Sequence, residues 1–257
     1  MSLLTTLDNA WGTIGPRMQE GGRLFAAHTG MANALITFSG TSALEAALRA
    51  LCAGDPDAEV IAAAYGDPRT ASVAVAVGAK VVFADVDRET GVLSPACAAA
   101  AMTSHTRAVI AETAKLAPYA ALGTEKLVAW LPCDPVAPVS GACAAAVYDL
   151  GGTSPVNIGA GALAANDPDL FSRMFAYHNC GRPFGERETL SFGCAIIGGD
   201  LRVAEFPCAL LPDALAHPGS GKPAASVRRL LHRMPVFDAL PDDAFPAAVF
   251  VNTRSIA

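Results

Sequence analysis

Lysine is the residue this chain has least of among the charged types: Lys80, Lys115, Lys126 and Lys222 are all it holds, and none lies between Lys126 and Lys222. Charge as a whole is thin, at 16% of 257 residues against 52% hydrophobic, which excludes a disordered chain and gives enough apolar material for one large core. The net charge of -6, with no basic stripe and no aromatic residues interleaved with Lys or Arg, argues against nucleic acid as a partner. Long apolar runs are missing too: the alanine and valine stretches are broken by Asp, Arg or Gly before the ~18 residues a membrane span requires. The opening "MSLLTTLDNAWG" has neither a basic segment nor a long apolar stretch, so no secretory signal is expected. The seven cysteines form an odd set with no CxxC pair, which speaks against a disulfide framework or zinc site and for reduced thiols in the cytoplasm. So much apolar content under so little charge predicts exposed apolar surface that an oligomer would cover.

What is present alternates between two periods. "TSALEAALRALCAG" places Leu44, Ala47, Leu48 and Leu51 on one helical face, with Thr41 or Ser42 as cap and Gly54 as stop. "EVIAAAY" reads as a strand, "TASVAVAVGA" as a helix ending at Gly78 and "KVVFADVD" as a strand, a unit that implies parallel pairing. "SPACAAAAMT" is a further helix. "RAVIAET", "KLVAWLPCD", "CAAAVYDL" and "GALAAND" are further strands, and a helix is expected from Asp167 to Ala176. Strands this uniformly apolar belong to a sheet covered on both faces, so the class is α/β. Beyond Leu211 the Pro- and Gly-rich "LPDALAHPGSGKPA" reads as a linker, and the residues after it are too few for a full second domain.

In order, these segments resemble the DegT/StrS-type family of pyridoxal-phosphate (PLP) aminotransferases, which includes sugar aminotransferases and 3-amino-5-hydroxybenzoate synthases. "FSGTSALEAALRAL" is similar to the family's cofactor-phosphate turn and helix. "GAKVVFADVDRETGVLSPACAAAAMTSHTRAVI" is similar to its next stretch, "GALAANDPDLFSRMFAYHNCGRP" to the segment after the cofactor lysine, and "GGDLRVAEFPCALL" to its Asn-x-Arg-x-x-Glu helix start. The resemblance runs over roughly residues 10 to 211. It implies a PLP fold-type-I large domain over residues 1–211, with a mostly parallel central sheet flanked by helices, and a linker with a reduced C-terminal small domain over 212–257.

PLP chemistry needs a lysine for the internal Schiff base, a carboxylate for the pyridinium, a stacked ring and phosphate donors. By the resemblance the lysine position falls at Thr153. Asp67, in "GDPR", stands at or near the ring-stacking position. Tyr148 replaces a phosphate-binding serine, Gly159 a glutamate, and Asp200 an asparagine that reaches the neighbouring subunit. Gly40, Thr41 and Ser42 keep a turn able to hold an anion or simply to start a helix, and Asp134 stands at the pyridinium position. His178 and Cys180 could form a base and nucleophile or be structural. Tyr148 and Asp149 could line a pocket or fill one. Arg202 and Glu205 look retained for an interface or a helix cap.

The resemblance and its departures together lead us to expect no cofactor. They also lead us to expect a pseudoenzyme: the non-catalytic partner of a lysine-bearing aminotransferase paralogue in secondary-metabolite (antibiotic or amino-sugar) biosynthesis, in a hetero-oligomer or as a homodimer. The alternative is a PLP-independent enzyme working on a small-molecule ligand in the repurposed pocket, through a cyclase, dehydratase or amide-forming step, with Asp134, Tyr148 and His178 as candidates. An ordinary aminotransferase would need a lysine from elsewhere, such as Lys115 after the strand "RAVIAET".

Overall fold

The computed structural model describes residues 12–132, 138–139, 142–151, 156–183 and 196–217, and a short pairing of Phe237–Asp238 with Phe250–Val251. Chain order is α1 (Pro16–Thr29), β1 (Asn33–Thr37), α2 (Gly40–Cys52), β2 (Glu59–Ala63), α3 (Pro68–Ala76), β3 (Lys80–Ala84), α4 (Pro95–Ala101), β4 (Thr106–Ala111), β5 (Leu127–Leu131), β6 (Ala145–Leu150), β7 (Ala160–Ala165), α5 (Pro168–His178) and α6 (Glu205–Ala216). The helix starts are set by local chemistry. Asp67, Ser94 and Asp167 each accept N–H groups of the turn they precede, and each is followed by a proline whose missing N–H costs nothing there.

Seven strands form one sheet in the order β1-β7-β6-β5-β4-β2-β3. β2 pairs parallel with β3 and β4, and β4, β5 and β6 continue in parallel. β7 runs antiparallel to both β6 and β1. The α/β class with a mostly parallel sheet is as the sequence implied.

Strand periodicity divides the core. Ile61, Val109, Ala129 and Tyr148 face α1 and α6 with Phe25 and Leu211, while Val60, Ile110, Trp130 and Val147 face α2 and α5 with Leu44 and Phe171. α2 is buried nearly all round, because its alanines let it settle close to the sheet.

Two local expectations shift. α2 is capped by Ser39 in a reciprocal box with Ser42, rather than by Thr41 or Ser42 alone. The chain beyond Leu211 stays helical through Ala216, with Pro212 accommodated inside α6, so those residues are helix and not linker. Among the described residues, no helix is long and apolar enough to cross a membrane.

Candidate functional site

The carboxyl ends of β1, β2, β4, β5 and β6 point the same way, and β2 sits where the strand order reverses, the place where open sheets of this kind hold ligands. The residues gathered there are charged. Asp67, after β2, accepts the N–H of Arg69 at 3.0 Å and so starts α3. Its carboxylate also takes the Arg69 guanidinium through Nε at 2.9 Å and Nη2 at 2.6 Å, and the indole N–H of Trp130 on β5 at 3.1 Å. Arg69 lies over the Trp130 ring, 5.0 Å from its centroid. Its remaining arm is paired with Asp149 of β6, which also accepts the Gly151 N–H at 3.1 Å. One guanidinium thereby ties the ends of β2, β5 and β6 together.

The two carboxylates are 13% and 15% exposed and the Arg69 side chain 38%, so the network is desolvated on its carboxylate side while water partly screens the cation. Burial opposes ionisation of Asp67, but its bonds from Arg69, from its own helix turn and from Trp130 outweigh that and hold it below the usual carboxylate range. Burial likewise opposes the charge on Arg69, and the two aspartates more than restore it.

Glu112, just past β4, is the carboxyl of this cluster that Arg69 does not pair. It accepts the Asp67 N–H at 2.9 Å and lies flat on Gly66, where a Cβ would come within 2.4 Å of its oxygen. Burial pushes its pKa up to about 7 from 4.5. His178, at the end of α5, is fully buried beside Phe175, with ring centroids 5.8 Å apart. Burial, with Arg202 nearby, drives its pKa down to about 4 from 6.5. The Ile36 backbone is close enough to favour the imidazolium slightly, yet neither ring nitrogen makes a well-formed hydrogen bond. His178 is therefore a neutral core residue, not a base with an orienting partner.

These two groups have opposite effects on stability. For Glu112 the folded pKa is above the unfolded one, so stability is lost as pH rises from 4.5 towards 7; for His178 it is below, so stability is lost as pH falls from 6.5 towards 4. Between pH 4.5 and 6.5 the two slopes offset each other. Glu112→Gln should unmask the histidine, making the chain gain stability with rising pH across that window and end about 3 kcal/mol above wild type beyond pH 7. Denaturant midpoints measured against pH check this; parallel profiles for the two proteins would refute it.

The other expected site residues scatter. Tyr148 points to the opposite face of β6 from the charged network, fully buried and edge-on to Phe25 at 4.9 Å, so it does not line a pocket with Asp149. Cys180 takes a left-handed conformation, φ 55°, in the turn after α5. Asp200 is held by Arg202 through two bonds of 2.6 and 2.8 Å, so its charge is balanced locally. Lys115 is exposed, and its backbone N–H bonds the Thr113 hydroxyl. Gly159 has φ 66°, which explains a glycine where the family has a glutamate. Asp134 and Thr153 lie outside the described residues. Glu205 caps a helix other than its own: buried at the head of α6, it accepts the N–H groups of Gly15, Arg17 and Met18 at 2.9, 2.7 and 3.1 Å and closes the start of α1.

Gly40, Thr41 and Ser42 do form a helix N-terminus facing this cluster. Ser42 is used by the capping box, while no partner takes the Gly40 and Thr41 N–H groups among the described residues. Asp149 crowds the same spot, since a Cβ on Gly40 would fall 2.7 Å from the Asp149 Cβ, so the helix dipole already faces one carboxylate. Sequence reasoning does not single out Arg69, Glu112 or Trp130. "GDPR" carries a signal for Arg69, as a cap, a proline and a cation in succession, whereas a lone glutamate after a strand and a tryptophan inside one carry none.

Residues 2–113 match the model of the DegT/DnrJ/EryC1/StrS aminotransferase family. Among solved structures the chain is similar to 3-amino-5-hydroxybenzoic acid synthase, with 28% identity, TM-score 0.72, and coverage of 83% of this chain and 59% of that one. It is also similar to NtdA from Bacillus subtilis with bound cofactor PMP (16%, TM-score 0.73, 84% and 52%). A third neighbour is the putative sugar aminotransferase Spr1654 from Streptococcus pneumoniae in its PLP form (19%, TM-score 0.69, 83% and 62%). The resemblance read from the sequence is borne out, and the last two likenesses show the fold. The chain spans between about a half and three-fifths of the length of these proteins.

The expectation of no cofactor is corrected by these neighbours: the fold is one that carries PMP in NtdA and both PLP and PMP in Spr1654. Among the described residues, the Gly40 and Thr41 N–H groups at the positive end of α2 are the donors that suit the phosphate end of such a group, with the Asp149 carboxylate standing against them. Nothing between Lys126 and Lys222 can supply a Schiff base.

Proposed function

We propose that this chain is a catalytically degenerate aminotransferase-fold subunit, the non-catalytic partner of a lysine-bearing paralogue in antibiotic or amino-sugar biosynthesis. The observation that carries this reading is the absence of lysine from Lys126 to Lys222, with Thr153 at the position the family gives to it. The Arg69 network supports it, because a cation held by two carboxylates and stacked on Trp130 joins three strand ends without any substrate. A partner would use the large-domain surface, where Phe38 and Tyr65 stand 67% and 49% exposed in the loops after β1 and β2. A PLP or PMP held here would be a guest bound through its phosphate, not through a covalent link.

The test is the native mass of the protein isolated from its own host, with its small molecules released and identified. Borohydride reduction is applied beforehand. A hetero-oligomer in which reduction fixes PLP to the paralogue alone supports the proposal; PLP fixed to this chain refutes it. Thr153→Lys should leave the chain inactive in transamination, since Asp67, Tyr148 and Asp200 remain. A homo-oligomer holding an unrelated metabolite would favour the second reading, a PLP-independent dehydratase or cyclase. Glu112 favours that reading specifically, as a carboxyl that keeps its proton near neutrality at the strand ends.

A further inference from the structure

Glu112 has a place in the fold beyond the proton-carrying role that the second reading gives it. Its carboxyl closes over Gly66 and holds the Asp67 N–H, so it grips the turn from which Asp67 and Arg69 both project. Among the described residues its second oxygen accepts nothing. The charged groups acting on it are Asp67 and Arg69, both from the segment after β2. β5 contributes the neutral Trp130, and β6 contributes Asp149, which reaches the cluster through Arg69. On its own loop, Lys115 is exposed and in no ion pair among the described residues.

We propose that Glu112 is a proton-operated latch on the Arg69 bridge: protonated, it leaves Arg69 shared between Asp67 and Asp149, and ionised, it draws Arg69 towards itself and loosens the tie to Asp149 beside the N-terminus of α2. The electrostatics set the direction. An ionised Glu112 adds a third negative charge within electrostatic reach of one guanidinium, and Asp149 is the member of the set held by a single arm, whereas Asp67 is held by two. Releasing Asp149 changes the charge facing the Gly40 and Thr41 N–H groups, so the consequence is pH-dependent access of anions to that helix end. The latch does not depend on whether the chain has a partner subunit or a chemistry of its own.

Trp130 reports on the bridge directly, because its ring carries Arg69 and its N–H is bonded to Asp67. In the full chain with Trp11→Phe, which leaves Trp130 as the only indole, emission should move to longer wavelength as pH rises from 5.5 to 8.5, with a midpoint near 7. Glu112→Gln, close in shape and unable to ionise, should abolish the step and hold the acid-form emission throughout. That control is needed because exposed histidines titrate in the same range. Asp149→Asn should shrink the step while leaving its midpoint near 7, since the far end of the bridge is gone. A step that persists in Glu112→Gln, or no step in the parent protein, overturns the latch. A full-sized step in Asp149→Asn overturns the part assigned to the bridge, even if Glu112→Gln fails to fold.

Discussion

Glu205→Ala should cost about 3 kcal/mol of stability. The carboxylate is 2% exposed and accepts three backbone N–H groups from the start of α1, residues that lie nearly two hundred positions earlier in the chain. Removing it strands those donors inside the protein and withdraws the negative charge that faces the positive end of α1. α1 would then lose its grip on α6, and with it the packing of Phe25 and Met18 on the sheet. Glu205→Gln, which keeps the shape and one acceptor oxygen, should cost roughly half as much. Glu20→Ala removes a half-exposed partner of the buried Arg17 guanidinium but strands no backbone donor, and should cost no more than about 1 kcal/mol. Urea titrations of the three variants decide it. If Glu205→Ala unfolds within ~1 kcal/mol of the parent, water replaces the carboxylate at α1 and the cap is dispensable.

Arg69→Met should destabilise by about 2 kcal/mol, less than for a fully buried pair because the Arg69 side chain is itself 38% exposed, and the loss comes from leaving Asp67 and Asp149 as unpaired charges. The companion Arg69→Met/Asp149→Asn should recover about 1 kcal/mol of that loss, the part due to leaving Asp149 without its cation. Asp67 would still lack its main partner in the double variant and would keep only its helix turn and the Trp130 N–H. Trp130 emission offers a second readout, since the guanidinium leaves the face of the ring in both variants. Additive losses would mean that Arg69 and Asp149 do not act as a pair. A change near zero for Arg69→Met would place the bridge in effectively open solvent.

The sequence determined the class and the alternation of helices and strands from about Ser39 onward, but not α1 or β1 before it. Helical and strand periods, with glycine stops at Gly54 and Gly78, gave a mostly parallel α/β chain, because periodicity reflects which faces are buried. It also carried the resemblance to the DegT/DnrJ/EryC1/StrS aminotransferases, whose family model matches residues 2–113, and the absence of lysine between Lys126 and Lys222, which is a fact of composition. Its implication for the cofactor went too far: eroded contact positions do not exclude a group that proteins of this fold carry. Only the tertiary structure decided which residues share the site. Tyr148 and Asp149 are neighbours in sequence, but the pleat sends them to opposite faces of β6, so one is core and the other is charge network. Glu112, Asp67, Trp130 and Asp149 come from four strands, and their meeting depends on strand order and register, which local periodicity does not encode. Glu205 shows the same limit. Its retention was legible in the chain, but the helix it caps is set by packing between two ends of the sequence that no local rule connects.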